Sequence, residues 1–334
     1  MLLTILNAPT GDFNMSTLTD IQKATALAIV NIFETGLVRG DYGAVTVAAK
    51  DTGHLTFGRT QTTLAVQGGA GLLAKLLTDY CNTPGARFAR GIQPYLQRLG
   101  RPDLGLDTNT RLHNLLRASS DDLVMRQVQD AFFDKHYWQP ALTRAQAHGL
   151  ELPLSVAVVY DSTVHGSWDA MRQRTDALVG GTPTKIGEKV WIQAYITARH
   201  DWLATHANSG LHATVYRMES LQSLLDYDLW DLQLPMLVRG QEINLRTLAA
   251  DPVNFYTGPA PGSRPLQIEP SMQRGLDVRL FQLGLSEAGC EVRADGLFGA
   301  GSRTALNAYQ QRMGLPTGDT ADAALVKSLA DSVV

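Results

Sequence analysis

Apolar residues recur at positions 21, 24, 28 and 32 of "TDIQKATALAIVNIFE", the spacing of a helix with one buried face. Thr19 followed by Gln22 forms a capping box at its start, and Gly36 and Gly40 stop it. The period then changes. "GAVTVAAKDTGHLTFGRT" alternates on both sides of "DTG", which predicts a short hairpin. In its second strand Leu55 and Phe57 share one face, and His54 and Thr56 share the other. Further helical patterns cover 72–80, 121–133, 153–165, 188–204 and 217–226. The expected architecture is mainly α: a helical domain, α+β in detail, with one small hairpin beside its N-terminal helix.

The patterning breaks at "DPVNFYTGPAPGSRPLQIEP", residues 251–270, which holds five prolines. Such segments are stiff and extended, so a linker is expected there. All five tryptophans precede it. The chain therefore divides into a large domain over 1–250, a linker over 251–270 and a small domain over 271–334. In the small domain Leu306, Tyr309 and Met313 form a helical stripe that Gly314 caps. Asp295 and Gly296 make a turn, with Phe298 plugging the core beneath it.

Charge narrows the function classes. With 29 Lys and Arg against 32 Asp and Glu, and no basic tract or phosphate-cradling glycine loop, nucleic acid is not an expected partner. The two cysteines, Cys81 and Cys290, read as separate free thiols, and no Cys/His cluster has metal-ligand spacing. Neither a metal nor another cofactor is expected. The opening "MLLTILNAPTGDFN" is too short in its apolar run for a secretory signal, and no window reaches a membrane span. A monomer is expected.

Three polar residues stand out where the first helix meets the hairpin. Glu34 falls at the C-terminal end of the helix, where the macrodipole and the apolar Ile32 and Phe33 disfavour its carboxylate. A carboxyl still protonated near neutrality is what a glycosidase needs to protonate a leaving oxygen. A solvated helix-end glutamate fits the same position. Asp51 sits at a turn, where amide hydrogen bonds keep it ionised and fit for a base, though aspartate is common at turns for that reason alone. Thr56, on the polar face of its strand, has a hydroxyl suited to holding a water. Asp41 in "RGDYG" is a reserve base.

A second set lies on later helices. Asp161 in "PLSVAVVYDSTVHG" and Arg199 in "KVWIQAYITARHDWL" each share a face with apolar residues. Both charges are therefore expected to be buried and paired, with Arg217 as a third member. A core salt bridge without catalytic meaning explains them equally well. His165 reads as a hydrogen-bonded core histidine.

These segments together resemble the chitosanases of glycoside hydrolase family forty-six, a lysozyme-like group of inverting enzymes. The matching order is "FETG", "DTGHLTFG", "RQVQDAFFDKHYWQPAL", "LSVAVVYDSTVHG", "WIQAYITARHDWL" and "VYRMESLQSLLDYDLWDLQLPM", over about residues 18–240. The resemblance implies Glu34 as general acid, Asp51 as general base and Thr56 as the residue positioning water. It implies that Asp161, Arg199 and Arg217 form a supporting network behind the glutamate. The acid-to-base interval is one residue shorter than the family pattern, which keeps Asp41 in reserve. Residues 271–334 resemble the three-helix peptidoglycan-binding module of bacterial cell-wall hydrolases, through "VRLFQLGL", "ADGLFGAGSRTALNAYQ" and "QRMGLPTGDTADAALVKSL". Asp295, Gly296 and Phe298 are its candidate contact residues.

A wall-binding module shifts the expected substrate. Chitosan is a polycation and favours an acidic cleft, whereas the net charge here is −3. Peptidoglycan is a β-1,4 amino-sugar polymer on which the module would concentrate the catalytic domain. The expectation is thus a muramidase-like hydrolase of bacterial peptidoglycan, with chitosan hydrolysis as the alternative. A wall-binding protein without activity is a third reading. Without a visible export signal, the cell wall would be reached through phage lysis or a dedicated secretion machine, as an endolysin or antibacterial effector.

Overall fold

The computed structural model describes residues 18–47, 53–59, 61–66 and 69–334. The first helix, α1, spans Asp20–Thr35 with the expected capping box at Thr19, and Gly36 stops it in the left-handed conformation at φ 75°. The Gly36 amide donates to Ile32 O at 2.9 Å, so the chain turns away one residue after the last helical turn.

The hairpin is present and gains a strand. β1 (Val45–Val47) and β2 (Leu55–Phe57) pair antiparallel with Thr46 opposite Thr56, and β3 (Thr62–Thr63) pairs with β2 on the other side. Leu55 and Phe57 point into the core. Five helical patterns reappear as the helices Leu73–Cys81, Leu123–Phe133, Pro153–His165, Glu188–Thr205 and Tyr216–Asp226. Every residue from Pro153 to Ser162 is buried, because this helix lies in the middle of the lobe with neighbours all round. No helix among the described residues is long and apolar enough to cross a membrane. Cys81 and Cys290 are both free.

The second region consists of the helices Leu276–Glu287, Ala300–Arg312 and Ala323–Asp331 around a core of Leu266, Phe281, Phe298 and Leu306. Its relation to the lobe differs from a module on a spacer. Leu276, Leu280 and Leu283 share one apolar cluster with Leu112, Leu115 and Leu116 of the Thr110–Ser119 helix. Asn114, fully buried, donates to Ser286 Oγ at 3.0 Å and Val292 O at 2.7 Å, and accepts from the Ala294 amide at 2.9 Å. Arg279 gives one nitrogen to Arg117 O, Ser120 Oγ and Asp121 Oδ1, and the other to Asn254 O and Asp295 O.

The proline-rich segment is likewise packed rather than free. The Tyr256 amide donates to Asp121 Oδ1 at 2.9 Å, and the Arg126 guanidinium lies 3.6 Å from the Phe255 ring centre. Leu266 is buried and pairs through its backbone with Ala321. Proline content reports stiffness; it carries no information on whether neighbouring aromatic residues dock.

Cutting the chain after residue 250 would expose the leucine seam and leave Asn114 and Asp121 without their buried partners. The fragment 1–250 should melt at least about 5 °C below the full chain and bind a hydrophobic dye. Equal melting temperatures in a thermal scan would show that the contact adds nothing to the lobe.

Candidate active site

Glu34 stands on the last turn of α1 with its side chain 17% exposed. Two features of the neighbouring helix hold that turn in place. Tyr216 donates its hydroxyl to Phe33 O at 2.7 Å and packs edge-on against the Phe33 ring. Arg217 lies over the same ring and donates to Glu34 Oε1 at 2.9 Å. Glu34 Oε2 has no hydrogen-bond partner among the described residues. Helix end and apolar wall were the only features visible in the sequence; the structure adds the Arg217 guanidinium at hydrogen-bond distance.

Behind Glu34 the charges alternate in sign. Arg217 reaches Asp161 Oδ1 through Nε at 2.9 Å and Nη2 at 2.6 Å, and Arg199 reaches Asp161 Oδ2 at 2.5 Å. Asp161 and Arg199 have no solvent exposure and Arg217 only 2%. Burial works against the Asp161 carboxylate, yet Arg217 and then Arg199 outweigh it and hold the group down at about 2. Burial likewise works against the charge on Arg217, and Asp161 and Glu34 raise its pKa above the ordinary value. His165 faces Arg199 Nη2 at 3.1 Å; burial, then Arg217 and Arg199, lower it to about 4, with Asp161 opposing. It is a neutral core histidine.

Thr56 is where the structure departs from the open strand face that alternation suggests. It is only 6% exposed, and its hydroxyl donates to Gln61 Oε1 at 2.7 Å and lies 2.6 Å from the Thr46 hydroxyl. The added strand and the turn before it bring Gln61 over that face, which a two-stranded pattern did not foresee. Asp51 lies outside the described residues. Asp41 accepts from the Gly43 amide at 2.9 Å and from Asn254 at 3.0 Å, and it faces the second region rather than Glu34.

The three candidate contacts in the second region, Asp295, Gly296 and Phe298, are mostly turned inward. Phe298 is 1% exposed and packs near Phe281. Gly296, at φ 77°, lies so close to the Tyr256 ring that a Cβ would meet it at 2.3 Å. Asp295 Oδ1 accepts from Gln282 and the Leu297 amide. Their spacing is a turn-and-plug motif, and folding alone accounts for it.

Lys23, Leu27 and Asn31 rise along the same face of α1 as Glu34 and line a groove of about 530 Å³. Its acids are matched: Lys23 meets Asp134 at 2.5 Å and Arg59 meets Asp130 at 3.0 Å. Arg39 donates to Leu248 O and meets no described carboxylate. Buried Arg59, which also lies over the rings of Tyr42 and Phe133, was not foreseen; "FGRTQTT" places it in a turn where nothing signals burial.

A glutamate half-buried at a helix end and backed by a buried ion network suits a carboxylate-based glycoside hydrolase, here with a docked second domain. The comparisons agree with that class. The chain belongs to glycosyl hydrolase family 46, whose profile matches residues 28–236, and a peptidoglycan binding domain matches residues 274–327. It is 29% identical over 234 residues to a chitosanase of Bacillus subtilis strain 168, covering 66% of this chain and 83% of that one. Among solved structures, the native chitosanase of Bacillus subtilis MY002 is 28% identical with a TM-score of 0.59, covering 67% of this chain and 96% of its own. A Gynuella sunshinyii chitosanase in complex with chitotetraose is 27% identical with a TM-score of 0.59, covering 69% and 99%.

Two outcomes follow from the network. Arg217→Ala leaves Asp161 and Glu34 short of a cation and should cost about 3–5 kcal/mol in urea unfolding; a loss under about 1 kcal/mol would mean the ion chain is dispensable to the fold. His165 sets a pH effect of definite sign. Between its ordinary 6.5 and about 4, the unfolded chain takes up a proton that the folded one refuses. Stability therefore falls as pH drops through that window, by at most about 1.4 kcal/mol per unit. Asp121 acts oppositely, since burial lifts it to about 6 against Arg279. The histidine's share is read by comparing wild type with His165→Asn, which should lose less stability from pH 6.5 to 4.

Proposed function

We propose that the lobe hydrolyses β-1,4 bonds of an amino-sugar polysaccharide with inversion at the anomeric carbon. Glu34 supplies the proton to the leaving oxygen, Asp51 takes one from the attacking water, and Thr56 orients that water. The observation that carries the reading is the asymmetric environment of Glu34. Arg217 occupies one oxygen, and the other is left without a described partner, free to carry the proton. Once the proton is given up, the new carboxylate lies against the guanidinium, which stabilises the charge that develops as the bond breaks. Inversion requires a water between acid and base, and so a carboxyl separation of about 6.5–9.5 Å. Thr56 enters with its hydroxyl already given to Gln61, so it receives a hydrogen bond from the water or exchanges partners.

Family membership and the chitosanase relatives support a glucosamine polymer, chitosan, as the substrate. A second reading, the glycan strand of bacterial peptidoglycan, is favoured by the fused domain and by the groove, whose acids are neutralised by Lys23 and Arg59 rather than left free for a polycation.

Glu34→Gln should lower turnover by about a hundredfold to ten-thousandfold without loss of folding, measured by reducing-end release from chitosan and from purified sacculi. Retained turnover would remove Glu34 from the reaction. Clearance of chitosan alone supports the first substrate, and clearance of sacculi alone the second. The anomer released first, followed by NMR, reports inversion or retention.

A further inference from the structure

Between β1 and the second region lies a cavity of about 550 Å³ that the glycosidase reading does not use. Four arginines line it, Arg117, Arg274, Arg279 and Arg293, against two aspartates, Asp41 and Asp295. Both aspartates accept hydrogen bonds from neutral groups and keep their charge, Asp41 from the Gly43 amide and Asn254, Asp295 from Gln282 and the Leu297 amide, so the four arginines still outnumber them by two. Arg279 is neutralised by Asp121. The other three arginines meet no carboxylate among the described residues.

Arg117 shows the crowding. Its Nε is buried without a partner, and burial, then Arg293 and Arg279, push its guanidinium below the ordinary value while Asp295 opposes them. A positive concavity in a chain of net charge −3 is a local feature and no reflection of overall composition. Arg117 gives one nitrogen to Asn114 Oδ1 at 3.2 Å, while the Arg274 and Arg293 side chains donate to no described partner, and planar guanidiniums match carboxylates. The volume suits a peptide-sized branch, and β1, which forms one wall, ends four residues before Asp51.

Resting on the proposed cleavage of an amino-sugar strand, we infer that this cavity receives a carboxylate-bearing peptide branch of that strand, held by Arg117, Arg274 and Arg293. The charged substituents of chitosan are ammonium groups, which the arginines would repel. The inference thus selects peptidoglycan, whose stem peptides carry free carboxylates, as the polymer the full chain handles. The lobe supplies the cutting chemistry, and the junction with the second region supplies discrimination.

The test uses the full-length protein at low ionic strength, where such contacts are least screened. Binding of a purified disaccharide–tetrapeptide muropeptide is measured by calorimetry, alongside the same compound with its carboxylates esterified. Arg274→Ala combined with Arg293→Ala is the variant of choice, because both side chains are exposed and neither donates to a described partner. The double variant should bind the free muropeptide about tenfold more weakly, an effect the esterified compound reproduces on wild type. Turnover of soluble glucosamine oligomers should stay within about twofold of wild type. A charge-reversed Arg293→Glu should weaken binding further. Equal affinity for both compounds, no measurable binding by wild type, or a variant that binds as tightly as wild type would each overturn the inference. Retained activity in Glu34→Gln would instead defeat the catalytic reading and leave these binding results untouched.

Discussion

A carboxylate with no access to solvent is tolerable only when cations replace the water it has lost, and Asp161 is held that way by Arg217 and Arg199. The rest of the lobe depends on that arrangement. Asp161 belongs to a helix buried along most of its length, Arg199 and Arg217 to two others, so three helices meet at one ionic junction. Arg217 then extends the junction to Glu34. Acidic and basic side chains alternate along it, from Arg199 through Asp161 and Arg217 to Glu34, inside an apolar lobe. Its one partly exposed end is the carboxyl proposed to do the chemistry.

Much of this was legible in the sequence, because burial writes itself as period. The stripe on α1, the capping box at Thr19 and the continuous apolar run around Asp161 each follow from one element needing to hide one or all of its faces. A charged residue on such a face demands a partner, so the Asp161–Arg199 pair was readable with Arg217 as an open third member, while the link to Glu34 came only with the family resemblance. Thr56 was not readable. Alternation assigned it to an open face, and Gln61 reached that face only through a third strand two residues long, too short for any pattern. The docking of residues 251–270 was hidden for a different reason. Prolines mark stiffness, while Phe255, Tyr256 and Leu266 acquire meaning only once Arg126, Asp121 and Ala321 are beside them. Asp51 falls outside the described residues, and its role rests on the family resemblance.

Two charged regions of the surface are managed in contrary ways. Along α1 the groove's acids are cancelled within the protein by Lys23 and Arg59. Across β1, at the junction with the second region, positive charge is left in excess. Pairing costs little to maintain, whereas unmatched cations kept close together raise the energy of the folded state. A fold that keeps them has a use for their field or has not removed them, and binding measurements distinguish these cases.

Arg279 reaches five oxygens on three stretches of chain. A domain clasped so closely cannot sample the polymer on its own while the cleft waits elsewhere. Anchoring point and scissile bond are then separated by a constant offset, as marks on a ruler are. A flexible tether would raise local concentration and accept any arrangement of strands. Under the proposed function, a rigid frame would favour polymers whose geometry matches the offset, so the order of the target material, and not merely its chemistry, would become part of what the protein recognises.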